Sequence, residues 1–150
     1  MKAQGHSGRG RGDRRLLGSC RRRSLAALFA RVKVEHGRLD IVVNNAAQVM
    51  ASTTMSGGFW QKPLEAVDPI TAGLRSHFMA AYHAAPLLTA SGRRLIVQTG
   101  HYGAVAYDHG AAYGAEKAGA DNMATDVAKE LQPYKEGDGD QTPAFIPRRS

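Results

Sequence analysis

The chain opens polar, and apolar residues become periodic only near residue 24. Leu25, Leu28, Phe29 and Val32 recur at i, i+3, i+4 and i+7, one stripe of an α-helix. Ser24 in front of the stripe reads as its N-cap, and Gly37 behind it as its stop. Ile41, Val42 and Val43 then form a short apolar run between Asp40 and Asn44, which predicts an interior parallel strand covered on both faces. Asp68 and Pro69 supply an N-cap and first-turn pair for a second helix with a stripe of Ile70, Leu74, Phe78, Ala81, Tyr82 and Ala85. Pro86 should bend or end that helix. Leu95, Ile96 and Val97 predict a second strand. Tyr113, Lys117, Ala120, Ala124, Val127 and Leu131 follow the spacing of a third helix. Strand, crossover helix and strand make a right-handed βαβ unit. The fold class is therefore α/β with a parallel sheet.

Composition bounds this picture. A chain of 150 residues with 43% hydrophobic content can form one domain with a real core. The net charge of +7 owes much to residues 1–23, MKAQGHSGRGRGDRRLLGSCRRR, which hold the single acid Asp13 and predict a disordered basic tail. Its GRGRG run could touch a nucleic-acid backbone by charge alone, but it lacks interleaved aromatics to stack bases, so specific nucleic-acid binding is not expected. The segment is also Arg-rich and acid-poor, as a mitochondrial transit peptide is. No apolar run is long enough for a transmembrane helix. The single Cys20 cannot form an internal disulfide and fits a reducing, cytoplasmic setting. The histidines lack ligand spacing, so no metal site is predicted.

Between the predicted elements, residues 48–62 read as a loop with Gly57–Gly58 as its flexible point and Phe59 and Trp60 as packing anchors. His77 and His83 are explained by packing, and Tyr107 and Asp108 are given no chemistry. After Pro133 the periodicity fails, and 132–150 read as a polar irregular tail.

Candidate chemistry centres on the third helix. Tyr113 and Lys117 stand four residues apart, which places a phenol and an ammonium one turn apart on one face. A nearby cation favours phenolate, so the spacing predicts a Tyr113 pKa below the usual value of about 10. A phenol tuned in that way exchanges a proton with a substrate oxygen. The same spacing also describes an ordinary surface pair. Asn44 and Asn45, at the end of the first strand, can hold a loop or meet a ligand, and composition favours the loop.

YGAEK resembles the Tyr-x-x-x-Lys element of the short-chain dehydrogenase/reductase family. GRLDIVVNNAA, residues 37–47, resembles that family's strand ending in Asn-Asn-Ala-Gly, with Ala47 in the last glycine's place. The two motifs stand in the family's order, and the resemblance covers residues 24–131. It implies an oxidoreductase that uses NAD or NADP and passes hydride between nicotinamide and a small carbonyl or alcohol substrate. Tyr113 would carry the proton. Lys117 would hold the cofactor ribose and lower the phenol's pKa, and Asn44 would line the cofactor. The family's serine position, counted back from Tyr113, falls on Gly100. Thr99 is the nearest hydroxyl, with His101 and Tyr102 as further polar candidates. Aligning GLRSHF puts Thr71 where the family carries an active-site asparagine.

Gly8, Gly10 and Gly12 alternate with arginine and follow no apolar strand, so they are not the family's phosphate-binding turn. The resemblance thus divides the chain into a basic tail, 1–23, a partial dinucleotide-binding domain, 24–131, and a polar tail, 132–150. It implies a partial Rossmann-like doubly wound parallel sheet, an internal slice of a dehydrogenase incomplete at both ends. The family often pairs its Tyr-Lys helix across a subunit boundary, so a homo-oligomer is an expectation too. Two other readings stand beside the enzyme: an inactive relative acting through dimerisation, and a basic nucleic-acid-binding protein.

Overall fold

The computed structural model describes residues 22–46, 56–92, 95–134 and 145–146. The basic tail up to residue 21, with Gly8, Gly10, Gly12 and Cys20, lies outside the described residues, as does Ala47.

Helix α1 runs Arg22–His36. Its predicted stripe of Leu25, Leu28, Phe29 and Val32 is half-buried. Ser24 lies inside the helix rather than at its N-cap, because the helix begins two residues earlier. Gly37 closes α1 as predicted: at φ +69° its N–H reaches the Lys33 carbonyl at 3.0 Å. That left-handed conformation is open to glycine without a Cβ clash.

Strand β1, Ile41–Asn44, pairs in parallel with β2, Leu95–Thr99, Val42 standing opposite Ile96. Two short 3-10 turns, Phe59–Gln61 and Leu64–Ala66, lead from the loop into the crossover helix α2, Val67–Ser91. Pro86 neither ends nor interrupts α2. Tyr82, whose carbonyl loses its i+4 donor there, is exposed, while the next residues, Leu87 and Leu88, are buried and hold the last turn in place. Ser91 finishes the helix by donating to the Leu39 carbonyl at 2.8 Å.

The buried face of α2 is rotated from the predicted stripe. Ile70, His77, Ala81, Ala84 and Leu88 point inward, whereas Phe78 and Tyr82 point out. His77 is the reason, since its ring is held in the interior by two hydrogen bonds and sets the face. His83 stacks on Phe29 of α1, with centroids 6.3 Å apart, a packing role as predicted.

Helix α3, Ala111–Leu131, packs mainly on α2. The core gathers Ala81, Ala84 and Leu88 of α2 and Ile96 of β2, with Phe29, Val42, Val127 and Leu131 against it. All three helices thus meet the sheet face carried by Val42 and Ile96. Ile41 and Val43, on the other face of β1, are 55% and 59% exposed. The expectation that β1 is covered on both faces fails among the described residues, where no helix reaches its second face and β1 is an edge strand.

A third strand, β3, Phe145–Ile146, adds to β2 in parallel, pairing Phe145 with Gln98. The polar stretch after Pro133 therefore carries a strand that its short apolar run did not announce. The architecture is a partial Rossmann-like α/β layer, its parallel strands in the order β1-β2-β3.

Candidate active site at the start of α3

The C-terminal ends of β1 and β2 face the start of α3, where α/β sheets gather their functional groups. Tyr113 lies in the first turn of α3 and is 8% exposed. Its ring is packed by two imidazoles, His101 at 5.4 Å edge-on and His109 at 5.0 Å tilted, measured between centroids. Gly103 closes the ring from another side, since a Cβ there would stand 3.1 Å from Tyr113 Cε1.

Lys117 follows one turn later. Its Nζ lies 5.3 Å from the centroid of the Tyr113 ring, a cation–π arrangement, and 3.2 Å from Glu116 Oε2. Both partners of that ion pair are buried. The spacing of Tyr113 and Lys117 is therefore realised in space, but its predicted electrostatic effect is reversed. Burial pushes the Tyr113 phenol above its ordinary value, and the carboxylates of Glu116 and Asp108 push it further. The ammonium sits over the ring and is matched by Glu116, so it does not lower the pKa as the sequence suggested.

Asn44 and Thr99 form a second group at the strand ends. Thr99 Oγ1 donates to the Asn44 carbonyl at 3.2 Å, and Asn44 Nδ2 donates to the His77 carbonyl at 3.3 Å. These bonds tie β1 to β2 and to α2. The ring neighbours of Tyr113 are thus His101, His109 and Gly103, while the Thr99 hydroxyl turns towards Asn44. The side chain of Thr71 lies outside the described residues.

Asp108, given no chemistry from the sequence, stands between the two imidazoles. Its Oδ1 is 2.7 Å from His109 Nδ1, and its Oδ2 is 3.3 Å from His101 Nδ1. Neither contact is a settled hydrogen bond. His109 Nδ1 is close to the carboxylate but out of line with it, and is buried with no hydrogen-bond partner. His101 Nδ1 accepts from Gly103 N–H at 3.2 Å, which keeps the proton of the neutral ring on Nε2. The signal in the sequence was Asp-His-Gly directly before a helix. Among the described residues no cluster of histidine, cysteine and carboxylate side chains could hold a metal ion.

The family resemblance implies a nicotinamide dinucleotide, whose ribose would need hydrogen-bond donors, and Lys117 carries donors of that kind. Lys117 Nζ has three N–H donors, and Glu116 Oε2 stands 3.2 Å away on one side of it. For the pyrophosphate, no described strand is followed by a turn of the pattern Gly-x-x-x-Gly-x-Gly.

Comparison with known proteins agrees with this fold. Residues 20–136 match the family profile described as enoyl-(acyl carrier protein) reductase. The chain is 36% identical over 110 residues to human dehydrogenase/reductase SDR family member 1, covering 71% of this chain and 35% of that protein. The mouse protein of the same name is 37% identical over 111 residues, with the same coverage. The chain thus spans about a third of the length of these curated relatives. Among solved structures, a metagenomic short-chain oxidoreductase in complex with NADP superposes with a TM-score of 0.71 at 25% identity, over 87% of this chain and 55% of that one. With the profile matching most of its length, the chain belongs to the short-chain dehydrogenase/reductase family.

Proposed function

We propose that this chain carries the proton-transfer half of an NAD(P)-dependent oxidoreductase acting on a small carbonyl or alcohol. The observation that carries the reading is the Tyr113 ring, buried at the start of α3 with the Lys117 ammonium above it. When bound, the nicotinamide cofactor supplies or takes up the hydride. The phenol's raised pKa keeps Tyr113 protonated at neutral pH. That form donates the proton to a carbonyl oxygen as it becomes an alcohol. Lys117 would hold ribose hydroxyls with the donors that Glu116 does not occupy. Asn44 would meet the cofactor through Oδ1, because its Nδ2 is on the His77 carbonyl. Thr99 would have to release its bond to Asn44 before donating to a substrate. NAD and NADP both remain within this reading, and a cytoplasmic location belongs to it, supported by the lone Cys20. No described helix is long and apolar enough to cross a membrane.

A homo-oligomer is part of the same proposal. The outer faces of α2 and α3 frame a groove of about 550 Å³ that includes Leu74, Phe78, Ala115, Gly119 and Met123. Phe78 is 52% exposed beside it, and the small residues allow a second helix pair to come close.

The test is reduction of a panel of aldehydes and ketones by the full chain with NADH or NADPH. Tyr113→Phe keeps the ring and removes the acidic proton, so kcat/KM should fall about 10²- to 10⁴-fold. An unchanged kcat/KM in Tyr113→Phe, or an inert wild-type chain, counts against the reading.

A further inference from the structure

The sequence cast Phe59 and Trp60 as packing anchors, and the structure corrects this, because they are 73% and 74% exposed. Instead they line a cavity of about 360 Å³ that reaches Tyr113 and His109 at the start of α3. Ligand pockets span roughly 300–1,000 Å³, so this one suits a small ligand. Tyr107, 87% exposed, is a further aromatic side chain of its lining.

The aromatic corner is held in place rather than left loose. The Phe59 and Trp60 rings meet edge to face, with centroids 5.3 Å apart at 88°. The indole lies directly on Gly58, where a Cβ would stand 2.4 Å from Trp60 Cζ3. Only a residue without a side chain leaves that space. Gln61 secures the same turn by accepting from Gly58 N–H at 2.8 Å. Flat π-surfaces fixed in this way favour a flat partner, because offset stacking and edge contacts reward planar rings.

The polar groups of the lining include the Lys62 ammonium, which lies beside Gly110. Tyr113 brings a phenol, and His109 an imidazole that Asp108 approaches to 2.7 Å. We propose that this cavity binds a planar aromatic compound carrying one acceptor oxygen, its rings against Phe59 and Trp60 and its oxygen at Tyr113. This narrows the substrate class of the proposed reaction to aromatic carbonyl compounds and rests on Tyr113 as the proton donor.

Trp60 is the only tryptophan of the chain, so its indole N–H gives one NMR signal of its own. The test titrates 2-acetonaphthone into the ¹⁵N-labelled full chain without cofactor. Two controls accompany it: the fully saturated decalin ketone, which keeps the oxygen but loses planarity, and 2-ethylnaphthalene, which keeps the rings but loses the oxygen. The indole signal should move to saturation with 2-acetonaphthone. The saturated ketone should bind about two- to twelvefold more weakly, the range of an aromatic pair, and 2-ethylnaphthalene should weaken similarly for want of a hydrogen bond. Gly58→Ala should displace the indole and weaken the aromatic ketone alone. Trp60→Leu, read by saturation transfer to the ligand, should do the same.

Equal affinity for the planar and the saturated ketone, or saturation without movement of the indole signal, overturns the proposal. Tyr113→Phe separates it from the catalytic reading. Loss of the preference for 2-acetonaphthone over 2-ethylnaphthalene, with ring binding kept, supports both. Preference kept in Tyr113→Phe removes Tyr113 from oxygen recognition and overturns that half of the proposal. Binding in a chain without turnover upholds the aromatic class while the catalytic reading fails.

Discussion

Gln98 donates from Nε2 to Nδ1 of His77 at 2.8 Å, with both residues buried. The other ring nitrogen, Nε2, stands 2.8 Å from the carbonyl of Ala46, which can only accept, so Nε2 carries the proton. Nδ1 must then accept, and the amide nitrogen of Gln98 faces it. This neutral imidazole links α2 to the end of β2 and to the residue two beyond β1. The arrangement leaves Gln98 Oε1 buried without a partner.

The first prediction concerns acid. Burial lowers the His77 pKa from 6.5, opposed more weakly by the Ala46 hydrogen bond and by Glu116. The unfolded chain takes up this proton near pH 6.5, and the folded chain only at lower pH. Stability from the neutral ring is therefore full above about pH 6.5 and declines as pH falls towards the folded pKa. Urea unfolding between pH 8 and pH 5 should show a slope that His77→Leu reduces, on top of a lower baseline. An identical slope in the variant would remove His77 from the effect.

The second concerns alkali. Tyr113 should ionise later than the exposed tyrosines, because burial, Glu116 and Asp108 all oppose its phenolate. The unfolded chain loses this proton first, so the contribution to stability is full below about pH 10 and is lost as pH rises through the folded pKa. Ultraviolet titration of wild type against Tyr113→Phe isolates the late component. Glu116→Gln should move that component down. If it moves up instead, the assigned electrostatics are wrong.

Thr99→Val tests the tie between strand ends. It removes the donor to the Asn44 carbonyl while keeping the shape of the side chain. The expected cost is about 1 kcal/mol in chemical unfolding. A neutral result would show that water replaces the bond freely.

Leu88→Ala tests the core. Leu88 is fully buried between α2 and the sheet, just past Pro86. The cavity should cost about 2–5 kcal/mol. A cost below about 1 kcal/mol would indicate that the last turn of α2 collapses onto the space.

The groove between α2 and α3 gives a prediction on assembly. Phe78→Asp adds a charge to its exposed apolar rim and should shift the mass from light scattering towards monomer. An unchanged dimer would place the interface elsewhere, and a monomeric wild type would sink the homo-oligomer reading.

Periodicity and spacing were enough to place α1, α2, α3, β1 and β2, because each carries its own local signal. A stripe such as Leu25, Leu28, Phe29 and Val32 repeats with the helix turn, and Gly37 marks a conformation that few other residues adopt. YGAEK likewise put Tyr113 and Lys117 one turn apart whatever surrounds them. What the chain order could not express was decided by packing across it. The rotation of α2 follows from His77 meeting Gln98, 21 residues away. The direction of the Tyr113 pKa follows from burial and two carboxylates, not from the lysine in its motif. Phe59 and Trp60 read as packing anchors, in the core or at its rim, because they are large and apolar. Only their placement beside a cavity, on a glycine that leaves room for the indole, turned them outward as its aromatic wall. Local chemistry is written residue by residue, whereas solvent exclusion and the neighbours of a charge exist only once distant segments meet.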